Sequence, residues 1–311
     1  MILERMKACI FSVLLAAILL LPSTEGLAAE GDASAKEQLE SAYKAMDEVK
    51  SGTVEMDFLL DTSVMDAKGK LHMDFQGKPV FGAQGNIHLV MGGLTEPSTM
   101  DYPFYAEEND KGYTIYYQKE GKWYKDFTSK EESGKTVKKE EEDPAYQAML
   151  QDLKQCEETV RFGKGDDRQQ TYLVTVDGAK LWDAVGKYAK TKVNPKDKDA
   201  EAVNSAIDAL SAIGDIDYEV TVDKATNHVV SVQADLSKPV GNLVTAVLEK
   251  VKMDAQTKMI LGSALSNAKL VIQTNGSQYN EIKEIKIPES VVKKAKPAPK
   301  DKKEKNEKKD K

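Results

Sequence analysis

The chain has 311 residues, a formal net charge of −7, and 31% charged against 7% aromatic residues. About 260 residues outside the two ends suit one large domain. Their acidic balance argues against nucleic acid, which needs a basic face on the folded part.

The first residues predict an export signal. Arg5 and Lys7 precede an apolar run from Ile10 to Leu21, Pro22 ends the run, and Gly26-Leu27-Ala28 supplies the small residues that signal peptidase reads. Residues 1–28 are therefore expected to be a signal peptide cleaved after Ala28. The run falls short of the roughly 20 apolar residues that span a bilayer. Cys9 stands at the start of the run, where a lipid anchor is not expected. The mature chain would keep Cys156 alone, so no internal disulfide can form. Cys156 reads as a buried structural thiol beside Leu153.

An amphipathic helix is predicted from Ala33 to Lys50, because Leu39, Ala42, Tyr43, Met46 and Val49 recur at three and four residue spacings. Six strands follow: Thr53–Thr62, Lys70–Gln76, Gly85–Met91, Met100–Tyr105, Tyr113–Gln118 and Lys122–Phe127. Val54, Met56, Phe58 and Leu60 alternate, as do Leu71, Met73 and Phe75, and Ile87, Leu89 and Met91. Such sets line one surface of a sheet. Branched Val and Ile are the usual strand residues, whereas Met is deformable and suits variable apolar partners. These positions form either an ordinary core or a surface that holds a lipid-like ligand. Pro103 marks an edge or a bulge, since it cannot donate to a ladder. Glu120-Gly121 predicts a tight hairpin. Tyr113, Tyr116, Tyr117, Trp123 and Tyr124 gather on that hairpin, either as a pocket mouth or as cross-strand pairs.

After a polar loop from Ser129 to Asp143, Pro144 opens a helix to about Cys156. Strands Glu158–Phe162 and Gln170–Val176 follow, then a helix Ala179–Ala189 bearing Leu181 and Trp182, and another from Asp199 to Ile213. A long hairpin pairs Ile216–Val222 with Val230–Leu236. Pro239 begins a helix carrying Leu243 that runs toward Ser266. Strands Ala268–Thr274 and Asn280–Ile287 are expected to close the domain around a turn at Asn275-Gly276-Ser277, with Pro288 ending the second. Hairpin connections imply a mostly antiparallel sheet, and every amphipathic helix needs an apolar surface to lie on.

From Lys293 to Lys311 ten Lys face four acidic residues, a net charge of +6 that leaves −13 for residues 29–292. Such a stretch cannot bury enough surface to offset its ordering entropy, so a disordered tail is expected. It is a candidate contact for an anionic envelope polymer or membrane surface.

No catalytic fingerprint, phosphate cradle or metal-ligand spacing occurs. His72, His88 and Asp74 lie out of phase with the apolar positions, as exposed strand polars do. Asp166-Asp167 reads as a turn. No enzyme activity, cofactor or metal is expected.

The order of elements, the segment Tyr116-Tyr117-Gln118-Lys119-Glu120-Gly121-Lys122-Trp123-Tyr124-Lys125 and the ending Ile282-Lys283-Glu284-Ile285-Lys286-Ile287-Pro288 resemble an uncharacterised family of bacterial envelope proteins. That family is similar to the LolA/LolB and LppX/LprG type carriers. The resemblance implies an α+β fold: a curved, mostly antiparallel half-barrel over residues 29–292, with amphipathic helices covering its concave face. It also implies an apolar cavity for lipid or lipoprotein acyl chains, for which Met56, Phe58, Leu60, Leu71, Met73, Phe75, Leu89, Met91, Trp123 and Trp182 are the candidates. Helices around Leu181 or Leu243 would serve as a lid. The alternative is a non-catalytic interaction module of the cell envelope with a closed core.

Overall fold

The computed structural model describes residues 32–62, 65–77, 81–93, 96–132, 143–197, 200–250, 254–265 and 268–298. The expected signal peptide lies outside the described residues, as does the chain from residue 299 onward.

Helix α1 (Ala33–Asp47) starts where Asp32 accepts hydrogen bonds from the Ser34 and Ala35 amides, and it buries Ala35, Leu39 and Ala42 as one stripe. Strands β1 (Ser51–Asp61), β2 (Met65–Gln76), β3 (Gly82–Gly93), β4 (Ser98–Asn109), β5 (Gly112–Lys119) and β6 (Lys122–Ser129) form a meander. Helix α2 (Pro144–Leu153) follows, capped by Asp143, then β7 (Glu158–Gly165) and β8 (Gln169–Val176). Helix α3 (Gly178–Thr191) is capped by Asp177. The expected helix to Ile213 is instead α4 (Ala200–Asp208) and a 3₁₀ turn, Leu210–Ile213. Strands β9 (Ile216–Asp223) and β10 (Val229–Asp235) make the long hairpin. The expected helix from Pro239 toward Ser266 is two helices, α5 (Ser237–Lys250) and α6 (Ala255–Leu265). Strand β11 (Lys269–Ser277), helix α7 (Glu289–Lys294) and the two-residue β12 (Lys296–Pro297) complete the described chain.

All twelve strands join one open sheet, ordered β12-β6-β5-β4-β3-β2-β1-β11-β10-β9-β8-β7. Every neighbouring pair is antiparallel except β12 with β6. The sheet is curved and mostly antiparallel, as expected. Pro103 pairs with Asn86, and the ladder from β4 to β5 begins only at Phe104. Pro103 therefore sits where β4 is locally an edge, which is where a residue without an amide proton is tolerated.

Residues directly opposite one another across antiparallel strands point to the same side. Following the register from Val160 through Val174, Tyr218 and Ala234 to Ile272 and Phe58 traces one continuous face. Helices cover this concave face over β7–β11. There Val174, Val176, Val220, Leu39, Trp182, Ile213 and Leu236 are fully buried. The branched residues of β8 and β9 share one buried core with the stripes of α1, α3 and α5. Tyr146 of α2 meets Tyr188 of α3 edge-on, with ring centroids 5.7 Å apart. Cys156 is buried in this core; burial, and then the negative charge of Asp177, push its thiol up to about 11. A thiol held protonated is a poor nucleophile.

The closing segment departs from expectation. Asn275-Gly276-Ser277 are strand residues paired with β1, not a turn. The turn comes at Gln278–Asn280, where Gln278 and Asn280 adopt φ of 53° and 63°. The Tyr279 hydroxyl occupies the space that a Cβ at position 276 would need, so Gly276 is required by close approach. That hydroxyl donates to the Val229 carbonyl at 2.5 Å. The chain from Glu281 to Pro288 forms no strand and crosses the sheet as a strap. Asn280 binds Lys50 and Ser51, Ile285 lies against Gly82, and α7 buries Val291. Lys296 and Pro297 then pair alongside Tyr124 and Lys125. The ordered chain thus passes the expected start of the tail at Lys293, which lies in α7 and pairs with Glu289 at 2.6 Å.

Candidate functional site

The buried core and the apolar residues packed against it come from the helices, β7–β11 and Leu60 of β1; among the described residues none belongs to β2–β6. Yet the concave face continues across these strands. Its rows are Leu60-Ala67-Met91, Phe58-Gly69-Leu89-Met100, Met56-Leu71-Ile87-Tyr102, Val54-Met73-Gly85-Phe104-Tyr117 and Gly52-Phe75-Ala83-Ala106-Ile115. Between Gly52 and Ala106 this face carries no charged side chain. It is also open: Met91 is 40% exposed, Ile87 37% and Ile115 50%. Met56, Phe58, Leu71, Met73, Phe75, Leu89 and Phe104 are half-buried.

Two aromatic rings pave this floor. Phe58 lies over Gly69, its cross-strand partner, and a Cβ at position 69 would fall 1.8 Å from the ring. Phe104 likewise lies over Gly85, with ring atoms 2.9 and 3.0 Å from the Cβ position. Glycine here lets a large ring lie flat, so the floor is broad rather than ridged. Gly69→Ala is therefore expected to lift Phe58 and cost about 1–3 kcal/mol of stability, as overpacking does. Gly69→Ala with Phe58→Leu should recover most of that loss; thermal unfolding of both variants is the check.

Of the ten sequence candidates, Met56, Phe58, Leu60, Leu71, Met73, Phe75, Leu89 and Met91 share this face, with Leu60 at the border of the core. Trp182 does not line a cavity. It is 2% exposed within the packed core and donates from Nε1 to the Gly214 carbonyl at 2.9 Å. Trp123 points to the opposite face, where it meets Tyr105 at 5.7 Å. The hairpin aromatics divide by strand alternation: Tyr117 stacks on Tyr124 on the concave side, at 5.7 Å and 27°, while Tyr116 and Trp123 face outward. Leu181 and Leu243 are buried in the core of the helix-covered half and not on the exposed floor. Ile87, Met100, Phe104, Ile115 and Tyr117 belong to the floor and were missed as candidates. Alternation with Leu89 marked Ile87, and the same period in β4 and β5 marked the others.

The opposite face is mostly polar across β1–β3. His72 lies between Glu55 at 3.5 Å and Asp74 at 3.6 Å, and His88 bonds Asp101 at 2.7 Å. Burial alone would raise Asp74, but hydrogen bonds from Gln84 and Thr53, with His72 nearby, outweigh it and hold its carboxyl below the usual range. No group of three or more metal-ligating side chains occurs among the described residues. Two surface hollows lie away from the floor. One of about 450 Å³ is lined by Glu48, Ser51, Gln76 and Asn280, and one of about 500 Å³ lies between Leu248 and Gly262.

Fold and site together define an open antiparallel half-barrel whose concave face is half core and half exposed apolar floor. The chain belongs to the DUF6612 family, a family of unknown function, whose model matches residues 34–296. Its structure is similar to the crystal structure of LprF from Mycobacterium bovis, at 14% identity and a TM-score of 0.40, covering 84% of this chain and 99% of that one. It is also similar to a beta-barrel-like protein of the domain of unknown function DUF1849 from Brucella abortus, at 9% identity and a TM-score of 0.23, covering 73% and 95%. No curated protein matches the sequence.

Proposed function

We propose that this protein is exported to the cell envelope and binds the acyl chains of a lipid or lipoprotein on its open concave floor. The observation that carries this is an uncharged apolar face, left outside the core and partly exposed across β1–β5. Each CH₂ moved from water onto such a surface contributes about 0.8 kcal/mol, so a long chain supplies useful affinity before ordering costs. Met56, Phe58, Leu71, Met73, Phe75, Leu89 and Met91 make the contacts. Met residues adapt to chains of different length and shape. The role is binding, not catalysis. The predicted leader directs export, and among the described residues no helix is long and apolar enough to cross a membrane. The lysine-rich stretch from Lys293 to Lys311 is the contact for an anionic envelope polymer or membrane surface.

Native mass spectrometry of the mature protein, purified from its own envelope without harsh detergent, tests this. A discrete extra mass, extractable into organic solvent as lipid, is the expected result. A clean apo mass that added envelope lipids do not change would overturn it.

A second reading has one observation in its favour. The helix-covered half is a closed, fully packed core, which suits an interaction module whose apolar floor meets a protein. Capture of a stoichiometric envelope protein, with no lipid at any stage, would favour that reading.

A further inference from the structure

The floor changes character at one margin. Along the concave side of β5 the residues run Ile115, Tyr117, Lys119, and along β6 they run Tyr124, Lys122. Lys119 and Lys122 are cross-strand partners on either side of the Glu120-Gly121 turn, so two like charges stand directly opposite. That arrangement disfavours the hairpin. Both side chains are exposed, and neither has a carboxylate partner among the described residues, although residues 29–292 carry a net charge of −13. The nearest carboxylate on the same side of β6 is Asp126, four residues or roughly 13 Å from Lys122 along the strand. Beyond it, Glu108 is neutralised by Lys130 at 3.0 Å. The sequence from apolar to Tyr to Lys matches the profile of an acyl chain, its ester region and an anionic head group, since Tyr suits a boundary with one dry and one wet side.

Resting on the carrier reading above, we propose that Lys119 and Lys122 form a head-group subsite that selects phosphate-bearing anionic lipids as cargo. The stacked Tyr117 and Tyr124 rings mark the boundary between head group and chain. With Glu120 in the turn between them, the lysine pair leaves a net charge of +1 at the hairpin tip, which the bound phosphate neutralises.

The test uses the mature full-length protein and fluorescent phosphatidylglycerol and phosphatidylcholine with identical chains, each offered below its aggregation concentration. Wild type is expected to prefer phosphatidylglycerol by about tenfold, as two exposed charge contacts allow. Lys119→Gln with Lys122→Gln should erase that preference, weakening phosphatidylglycerol binding by about tenfold and phosphatidylcholine binding by less, because the choline cation already balances its phosphate. Equal affinity of wild type for both lipids would overturn the subsite and leave the carrier reading standing. No binding of either lipid would overturn both. Adsorption to phosphatidylglycerol vesicles without uptake of monomeric lipid, lost in the double variant, would make the lysines a bilayer contact and overturn the cargo subsite. Full competition by inorganic phosphate, with chain length irrelevant, would also overturn it.

Discussion

Met73→Asp combined with Leu89→Asp is expected to abolish lipid retention in a protein that still folds. The two side chains stand two rows apart on the floor, on either side of the Leu71-Ile87 row, Met73 opposite Gly85 and Leu89 opposite Gly69, each beside a paving phenylalanine ring. Both are half-buried, and among the described residues neither belongs to the helix-covered core. In the free protein the new carboxylates can therefore keep much of their water, and the folding cost should stay within the range of about 0.5–3 kcal/mol typical of single changes. An acyl chain laid over them would strip that water away. Burying an unpaired carboxylate costs several kcal/mol, more than the chain contacts at those positions contribute. The measurement is solvent extraction of the folded variant, with circular dichroism establishing the fold. A folded double variant that still copurifies with lipid would place the binding surface elsewhere.

The second large effect is on stability. Trp182→Ala should cost about 3–5 kcal/mol, the range for emptying a large aromatic site in a packed core. Trp182 sits among α3, the 3₁₀ turn and β9, and its indole donates to Gly214 at the entry to β9. Trp182→Phe keeps much of the volume but leaves the Gly214 carbonyl without that donor, a loss of about 1–3 kcal/mol. Met91→Ala, on the open floor, should cost clearly less than Trp182→Ala, because Met91 is already 40% exposed whereas Trp182 is 2% exposed. Urea unfolding of the three variants gives the ordering directly. If Met91→Ala destabilises as much as Trp182→Ala, the floor is part of the core and not an open face.

Strand existence and sidedness were legible in the residues because alternation is local. Met56, Phe58, Leu71, Met73 and Leu89 fall on one face whatever else the chain does. The same rule separates Trp123 from Tyr124, yet grouping the hairpin aromatics by proximity in sequence placed both in one cluster. Trp182 carried no local signal that distinguishes a cavity wall from a core. An amphipathic helix buries its stripe equally well against a packed sheet or a hollow one. The last strand was misplaced for a different reason. Asn-Gly is a strong turn signal, but Asn275 and Gly276 are held in β11 by β1 and β10 on either side, and the turn moves to Gln278–Asn280.

By itself the sequence determined most of the helices, the existence of strands β1–β11, the mostly antiparallel pairing of hairpins and the apolar face, because each depends on periodicity over a few residues and on turns between neighbours. Only the tertiary structure decided that β11 inserts between β1 and β10, and that the described helices pack over β7–β11 and not over the Met-rich face of β2–β5. Alternation says which side of a strand is apolar. What lies against that side is set by contacts between residues far apart in the chain, and no local pattern encodes them.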